Sequence, residues 1–501
     1  MTANELSEPA ADIPALETPL KLSGKRTLAL QEHQLVFEEP SSIEIPFYNV
    51  LWVEAKDNTL TLDYVERQNN DLVVRKLTGE VSDVATEALT AWADTVMDRA
   101  YKKAKRNKRA LVLVNPASGP GGAVKRWSTK SKPIFEAARM SMDIIVTTHG
   151  GQAIEICEKM DINNFDIVVG CAGDGMPYEI FNGLGKRADA SHALAKISVA
   201  HIPCGSGNGM SCNLYGSHKP SVAALGIVKG VSTPLDLVSV TQGETRLLSF
   251  MSQNVGIIAE CDLATENLRW MGDNRFVVGF LQRVMSGSKY PCDIAAKVEI
   301  DEVKGIKEHY HREQSQVDLN VSSAMKQQGA DADGESSADT QNQQNKGLPP
   351  LKYGTTTDPL PEDWEVVKSD KLGCLYVGNM AYMDRTNNFF SAACTNDGLL
   401  DMITVDADIG TMAWIKLMDY VEKGKLLDHD LVRYKKVSAF RVTPRDQQDG
   451  YISIDGERIP FGPFQCEVHR GLGRVISKNG TFEGPGPGSW DKVSMAERLH
   501  A

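Results

Sequence analysis

Residues 166–185 read DIVVGCAGDGMPYEIFNGLG. Ile167, Val168 and Val169 form a β-branched apolar run, too short for a helix and bounded by glycine, which is the pattern of a buried strand. The chain then turns at Gly173-Asp174-Gly175, and from Glu179 onward Ile180, Phe181 and Leu184 fall on one face of a short helix. A strand, a glycine turn and a helix N-terminus together present backbone N–H groups suited to an anion such as phosphate. The turn also exposes one carboxylate, Asp174. The same tripeptide occurs in ordinary turns, so its neighbours must carry the argument.

Three flanking segments repeat the pattern. Leu111 to Val114 ends in the loop Asn115 to Gly122, followed by a helix near Val124 and Trp127. Asp143 to Thr147 leads through His149-Gly150-Gly151 into a helix with Ala153, Ile156, Cys157 and Met160 on one stripe. Ile197 to Ile202 precedes Pro203-Cys204-Gly205-Ser206-Gly207-Asn208-Gly209 and another helix. Such alternation predicts a parallel sheet with helices on its faces and a ligand at the carboxyl ends of the strands. Neither G-x-x-x-x-G-K-[ST] nor a G-x-G-x-x-G opening the first helix is present, so a nucleotide site here is of another design.

The rest of the chain reads as support. Residues 1–24 are expected to be disordered. Residues 25–104 hold short β-forming stretches and then Ala85, Leu89, Trp92 and Val96 at helical spacing, which predicts a PH-like β module closed by a helix. Six of the nine residues from Tyr101 to Arg109 are basic, either a solvated linker or a surface for anionic lipid or ATP. The α/β domain is expected over 105–245. An antiparallel β-sandwich is expected over 246–488, built from runs such as LLSFMSQ, AAKVEI, CLYVGN and FQCEVH, with a tail at 489–501. Residues 314–346 are rich in Gln, Ser, Ala, Asp and Gly without an aromatic residue, and are expected to be a disordered insertion. The fold class is thus α/β plus all-β, a parallel nucleotide-binding domain packed on an antiparallel sandwich.

Composition narrows the function. A net charge of −12 over 501 residues argues against a general nucleic-acid binder. The nine cysteines form no C-x-x-C pair and sit in apolar runs, which suits reduced core thiols. No signal peptide is apparent, and no apolar run reaches the ~18 residues of a membrane span. Contact with intracellular or plasma membranes is therefore expected to be peripheral and from the cytoplasm.

Asn115-Pro116 with its loop, Gly173-Asp174-Gly175 followed by Glu179 and Asn182-Gly183-Leu184, and Pro203-x-Gly205-Ser206-Gly207-Asn208 resemble the signature blocks of the diacylglycerol-kinase-type catalytic domain. Pro234-Leu235-Asp236-Leu237 and the stretch from Gly256 to Phe276 resemble the sphingoid-base block of the long-chain-base (sphingosine) kinases. Met176-Pro177-Tyr178 is similar to the fungal members. Ala117 and Pro120 depart from the family, which often carries basic or polar residues there.

The resemblance implies an ATP-dependent lipid kinase with Mg²⁺ bridging the phosphates. It implies Asp174 as the general base, within a substrate wall of Ala172, Gly173, Asp174 and Gly175, and Asp262 at the ammonium headgroup of the lipid. It places Asn115, Pro116, Ala117, Thr147, Thr148, His149, Gly150, Gly151, Ala172, Glu179, Gly205, Ser206 and Gly207 around the nucleotide. Arg269 and Arg275 are expected on its phosphates, and Asp455-Gly456-Glu457 returns to it from the second domain. Metal ligands are not assigned. Ceramide or diacylglycerol kinase activity, or a silent lipid or nucleotide sensor, are the alternatives, and the sequence leaves a homodimer open.

Overall fold

The computed structural model describes residues 19–23, 26–39, 41–82, 84–119, 121–264, 274–326 and 347–486, with backbone alone at 39, 41, 274–278 and 317–326. The chain divides into two compact units, 1–107 with 132–140, and 108–131 with 141–501.

The first unit opens with β1 (Leu20–Leu22), β2 (Arg26–Leu30), β3 (Gln34–Glu39) and β4 (Ser41–Pro46), an antiparallel four-stranded sheet. A three-stranded antiparallel sheet follows, β5 (Val50–Lys56), β6 (Thr59–Gln68) and β7 (Asp71–Glu80). The β5–β6 hairpin turns at Asp57 and Asn58, whose φ values of 50° and 59° match the twist of the paired strands. The helix α1 (Thr86–Tyr101) buries Leu89, Trp92, Val96 and Tyr101 at helical spacing, and the Tyr101 hydroxyl donates to the Leu51 carbonyl at 2.7 Å. The disordered start expected through residue 24 is corrected at Leu20–Leu22, whose alternate leucines are buried in a strand. Residues 1–18 lie outside the described residues.

In the second unit β8 (Arg109–Val114), β9 (Ser141–Val146), β10 (Ile167–Ala172) and β11 (Ser198–Pro203) run parallel in the order β9-β8-β10-β11. β10 and β11 are buried along their whole length, as strands covered on both faces must be. In sequence, α2 (Ala123–Arg126), a π turn at Trp127–Ser131 and α3 (Lys132–Ala137) come between β8 and β9, α3 belonging to the first unit. The other crossings use α4 (Gln152–Lys159), α5 (Gly175–Gly185) and α6 (Ala190–Lys196), and α7 (Gly209–Tyr215) and α8 (Pro220–Lys229) follow β11. The strand order reverses between β8 and β10, the place at which open parallel sheets usually take a ligand.

The antiparallel half contains β12 (Val231–Gln242), β13 (Thr245–Ser249), β14 (Ser252–Gly256), α9 (Ile257–Leu263), α10 (Asn274–Ser286), β15 (Cys292–Ile300) and α11 (Val303–Lys326). It continues with β16 (Glu365–Ser369), β17 (Leu372–Gly378), β18 (Leu400–Asp406), α12 (Thr411–Glu422), β19 (Arg433–Pro444), β20 (Ile452–Ile454), β21 (Glu457–Ile459) and β22 (Phe464–Ser477). Val238, Val255, Ile294, Leu375, Met402, Phe440, Ile452 and Phe464 meet in its core. All nine cysteines are buried and none is in a disulfide.

Three expectations change. The boundary at 245 falls inside the β12–β13 hairpin. β22 pairs with β12 and β19 and also meets β11 at Val199–Val475, so both halves share one 15-stranded sheet. The insertion expected to be disordered from 314 is helical to Lys326, because α11 starts on buried Ile306, His309 and Tyr310, and an anchored helix extends at little cost per residue. The basic stretch is not all solvated, since Lys108 is buried and donates to the Val228 carbonyl at 2.7 Å.

Candidate active site

Main-chain hydrogen bonds stitch the four glycine-bearing loops together. The Asn115 N–H donates to the Cys171 carbonyl at 3.2 Å, and the Thr147 N–H to the Val114 carbonyl at 2.8 Å. The Cys204 and Gly205 N–H groups donate to the Ala172 carbonyl at 2.7 and 3.1 Å. Gly205 packs so closely on Gly173 that a side-chain carbon there would collide with the Gly173 backbone. The loop is closed by Asn208, which accepts from the Gly205 N–H and donates to the Gly205 carbonyl, both at 2.9 Å.

Asp174 stands at the head of α5. Its Oδ2 accepts from the Gly209 N–H at 2.9 Å and its Oδ1 from the Met210 N–H at 3.0 Å, so the first turn of α7 fixes the carboxylate. Its side chain is 15% exposed, buried enough to be oriented and open enough to be reached. Behind it lies His201, fully buried on β11. Its Nε2 donates to the Ala172 carbonyl at 2.9 Å, which leaves Nδ1 as an unpartnered acceptor 3.7 Å from Asp174 Oδ1. Burial holds the imidazole below its usual range against the opposing pull of Asp174.

Other expected residues support these loops. Asn115 Oδ1 accepts from the Ala117 N–H at 3.0 Å across Pro116. Glu179 accepts from the Gly151 and Ala153 N–H groups at 3.1 and 3.2 Å, which caps α4 and holds the loop of Thr147, Thr148, His149 and Gly150. Its carboxylate therefore acts on this loop rather than standing open to a nucleotide. Thr148 and His149 are tied into the same turn through Gln152 and Glu155.

From the antiparallel half, the turn between β20 and β21 reaches the same place. Glu457 Oε1 lies 3.2 Å from where a Gly175 side chain would begin. Asp455 departs from expectation: it is buried, and it accepts from the Ser249 hydroxyl at 2.7 Å and from the N–H groups of Phe250, Met251 and Ser252 at 2.8 to 2.9 Å. Burial outweighs these bonds and pushes its carboxyl up to about 6. Its carboxylate shapes the turn that presents Gly456 and Glu457 and is not offered to a ligand. Asp262 on α9 accepts from the Ser453 hydroxyl at 3.1 Å, beside Gly456. Arg269 and the Arg275 side chain lie outside the described residues.

The sequence reading missed His201, whose apolar strand context gives no sign of a neighbour on another loop. It also missed Arg126, Lys219 and Arg385, which the fold gathers at the Gly205–Asn208 loop from three distant parts of the chain. Among the described residues no group of three or more His, Cys, Asp or Glu is arranged to hold a metal, and no helix is long and apolar enough to cross a membrane.

Known proteins resemble this chain in sequence and in fold. Residues 109–240 match the diacylglycerol kinase catalytic domain family, and residues 33–102 match a domain of unknown function, DUF7493. The chain is 33% identical to sphingoid long chain base kinase 5 of Saccharomyces cerevisiae, over 78% of its own length and 62% of that protein's. It therefore spans less than two thirds of this relative. It is 31% identical to sphingoid long chain base kinase 4 of Schizosaccharomyces pombe, over 88% of its length and 89% of that protein's. A diacylglycerol kinase structure from Bacillus anthracis str. Sterne superposes with a TM-score of 0.47 at 17% identity, covering 74% of this chain and 98% of that one.

Proposed function

This chain belongs to the sphingoid long-chain-base kinase family, and from that premise we propose that it transfers the terminal phosphoryl group of ATP to the primary hydroxyl of a sphingoid base such as sphinganine, sphingosine or phytosphingosine. The observation that carries the reading is Asp174, held by two backbone donors where the strand order reverses and facing loops that border open space. Among the described residues, and apart from each glycine's own chain neighbours, no atom stands within 4 Å of where a side chain would begin at Gly121, Gly122, Gly150 or Gly151, which fits a nucleotide laid across them. When bound, ATP with Mg²⁺ supplies the phosphoryl group and a cation on its oxygens. Among the described residues, Asp174 and Glu457 are carboxylates that would stand near that cation, which would supply neutralising charge to the transferred phosphoryl group.

Asp174 accepts the proton of the lipid hydroxyl. The two N–H bonds fix the direction of its carboxylate, which suits a transfer governed by positioning and electrostatics. Asp262 pairs with the ammonium of the amino alcohol, a contact that an uncharged glycerol headgroup cannot make. Because the acceptor is a long-chain lipid, the protein works from the cytoplasm at a membrane surface it touches peripherally.

Incubation with labelled ATP and, separately, sphinganine, ceramide and diacylglycerol tests the reading. Label is expected in sphinganine. Label only in ceramide or diacylglycerol overturns the substrate, and nucleotide binding with no lipid labelled points to a sensor. Asp262→Ala is expected to raise the KM for sphinganine about tenfold and to leave that for ATP nearly unchanged. An unchanged lipid KM removes Asp262 from the headgroup site.

A further inference from the structure

A cavity of about 290 Å³ opens against the Gly205–Asn208 loop, lined also by Arg126, Pro203, His218, Lys219, Pro220 and Arg385. Among the described residues that line it none is acidic, in a chain whose net charge is −12. We infer that this cavity is a phosphoryl-binding site whose cations, Arg126, Lys219 and Arg385, belong to this chain's own design and stand in for the basic residues its first loop lacks.

Each cation is placed by something other than chance. Arg126, at the end of α2, donates from Nη1 to the Cys204 carbonyl at 3.1 Å, which lays its guanidinium along the loop and leaves further N–H groups for an oxyanion. Lys219 directly precedes Pro220, the first residue of α8, and its N–H donates to the Ser217 hydroxyl at 3.1 Å. Arg385 is brought in by the segment after β17. Asn213 of α7 donates to the Tyr382 carbonyl at 2.7 Å and accepts from the Tyr382 N–H at 3.0 Å. That docking requires glycine at 209, because any side chain would begin 2.6 Å from the Met383 carbonyl oxygen. Beside it, Asp384 turns into its own loop, accepting from the Thr386 and Asn387 N–H groups at 2.7 and 2.8 Å.

The chemistry recognised is a phosphoryl oxyanion. Two planar guanidinium groups and an ammonium around a loop of small residues, with Asn208 in the left-handed region at φ 58°, match phosphate oxygens in charge and shape. Two sources carry that group: the phosphates of the nucleotide, or the headgroup of an anionic phospholipid at the membrane surface. The first source rests on the kinase reading; the site itself rests only on the cavity and its charge. Ser206 and Gly207 lie in both its wall and the expected nucleotide loop, while Asn208 and Gly209 lead into the N–H groups that hold Asp174. A bound phosphoryl group would therefore press on the base through the main chain.

The test uses the full-length protein and three probes: inorganic pyrophosphate, ATP, and phosphatidylcholine vesicles with or without phosphatidylserine. Lys219→Gln, Arg385→Gln and Arg126→Gln are made singly and together, with Arg126→Lys as the variant that keeps the charge. The triple variant is expected to bind pyrophosphate at least about tenfold more weakly, with a shallower dependence on salt. A parallel rise of about tenfold in the ATP dissociation constant assigns the site to the nucleotide. Loss of flotation with phosphatidylserine vesicles assigns it to a headgroup. If the triple variant does not fold, Lys219→Gln and Arg385→Gln carry the test, and each must weaken pyrophosphate binding. Wild-type binding of pyrophosphate, ATP and anionic vesicles by the variants overturns the site. Wild-type protein that phosphorylates no sphingoid base, yet binds pyrophosphate through these three residues, overturns the kinase reading and leaves the site standing.

Discussion

Asp174 is restrained on both oxygens by main-chain donors, so its geometry does not depend on substrate being present. Asp174→Asn keeps the shape but sets an amide N–H against one of those main-chain N–H groups. Turnover is expected to fall by at least about 100-fold with ATP affinity nearly intact, and the melting temperature to drop because a donor is left unpaired. A kcat equal to wild type would remove Asp174 as the base. His469 on β22 shows what a buried imidazole does to stability. It shares a 2.8 Å hydrogen bond with Ser239 and lies 3.3 Å from Arg246 and 3.7 Å from Glu467. Burial, aided by Arg246, pulls it down to about 4. A histidine with a depressed folded value is neutral in the native state, and its contribution is present above its ordinary value near 6.5. That contribution is lost as pH falls toward 4, reaching at most about 2 kcal/mol by pH 5. Thermal melts from pH 7 to 5 are expected to fall in the wild type and to fall less in His469→Gln. Equal slopes would refute the assignment.

The site depends on how closely neighbouring elements approach. The turn after β10 and the loop after β11 touch backbone to backbone at Gly173 and Gly205, and the loop after β8 reaches the same Cys204 carbonyl, 2.7 Å from where a Gly119 side chain would begin. Gly205→Ala therefore forces the two turns apart. It is expected to cost about 1–3 kcal/mol in urea unfolding and to reduce kcat more than the unfolding cost alone explains, because the N–H groups fixing Asp174 come from the continuation of the same loop. An alanine variant with wild-type kcat would show that the spacing of the turns is not what sets the base. The elements also explain α11, whose first turns are anchored by Ile306 and by His309, which forms a 2.9 Å hydrogen bond with Asp397.

At the scale of the whole second unit, one strand holds two halves together. β22 runs along β12, meets β19, and touches the edge of β11, so the parallel and antiparallel parts share their hydrogen bonding. The antiparallel part is further fixed by a buried ion cluster. Lys436 on β19 lies 3.1 Å from Asp397 and 3.0 Å from Asp401, and donates to the Ala392 carbonyl at 2.8 Å. Lys436→Met strands two carboxylates inside the protein, and a loss of about 3–5 kcal/mol is expected in urea unfolding. A loss under about 1 kcal/mol would mean that water or protonation already satisfies the pair.

Local pattern alone determined a good deal. Ile167 to Val169 and the glycine turns after four strands were legible because strand period and turn chemistry are local, and they pointed to the parallel sheet and to the turn that carries Asp174. Glu457 was legible as part of a turn and is found beside that acid. Tertiary structure alone decided the rest. Asp455 and Glu457 stand two residues apart, yet Asp455 is consumed by main-chain N–H groups from Phe250 to Ser252 while Glu457 reaches toward Gly175. The boundary at 245 vanished because β22 returns from the far end of the chain. Arg126, Lys219 and Arg385 line one cavity, and His201 lies behind Asp174, only because the fold brings distant parts of the chain together. The physical reason is the same in each case: a hydrogen-bond partner or a field of charge depends on distance through space, and sequence records only distance along the chain.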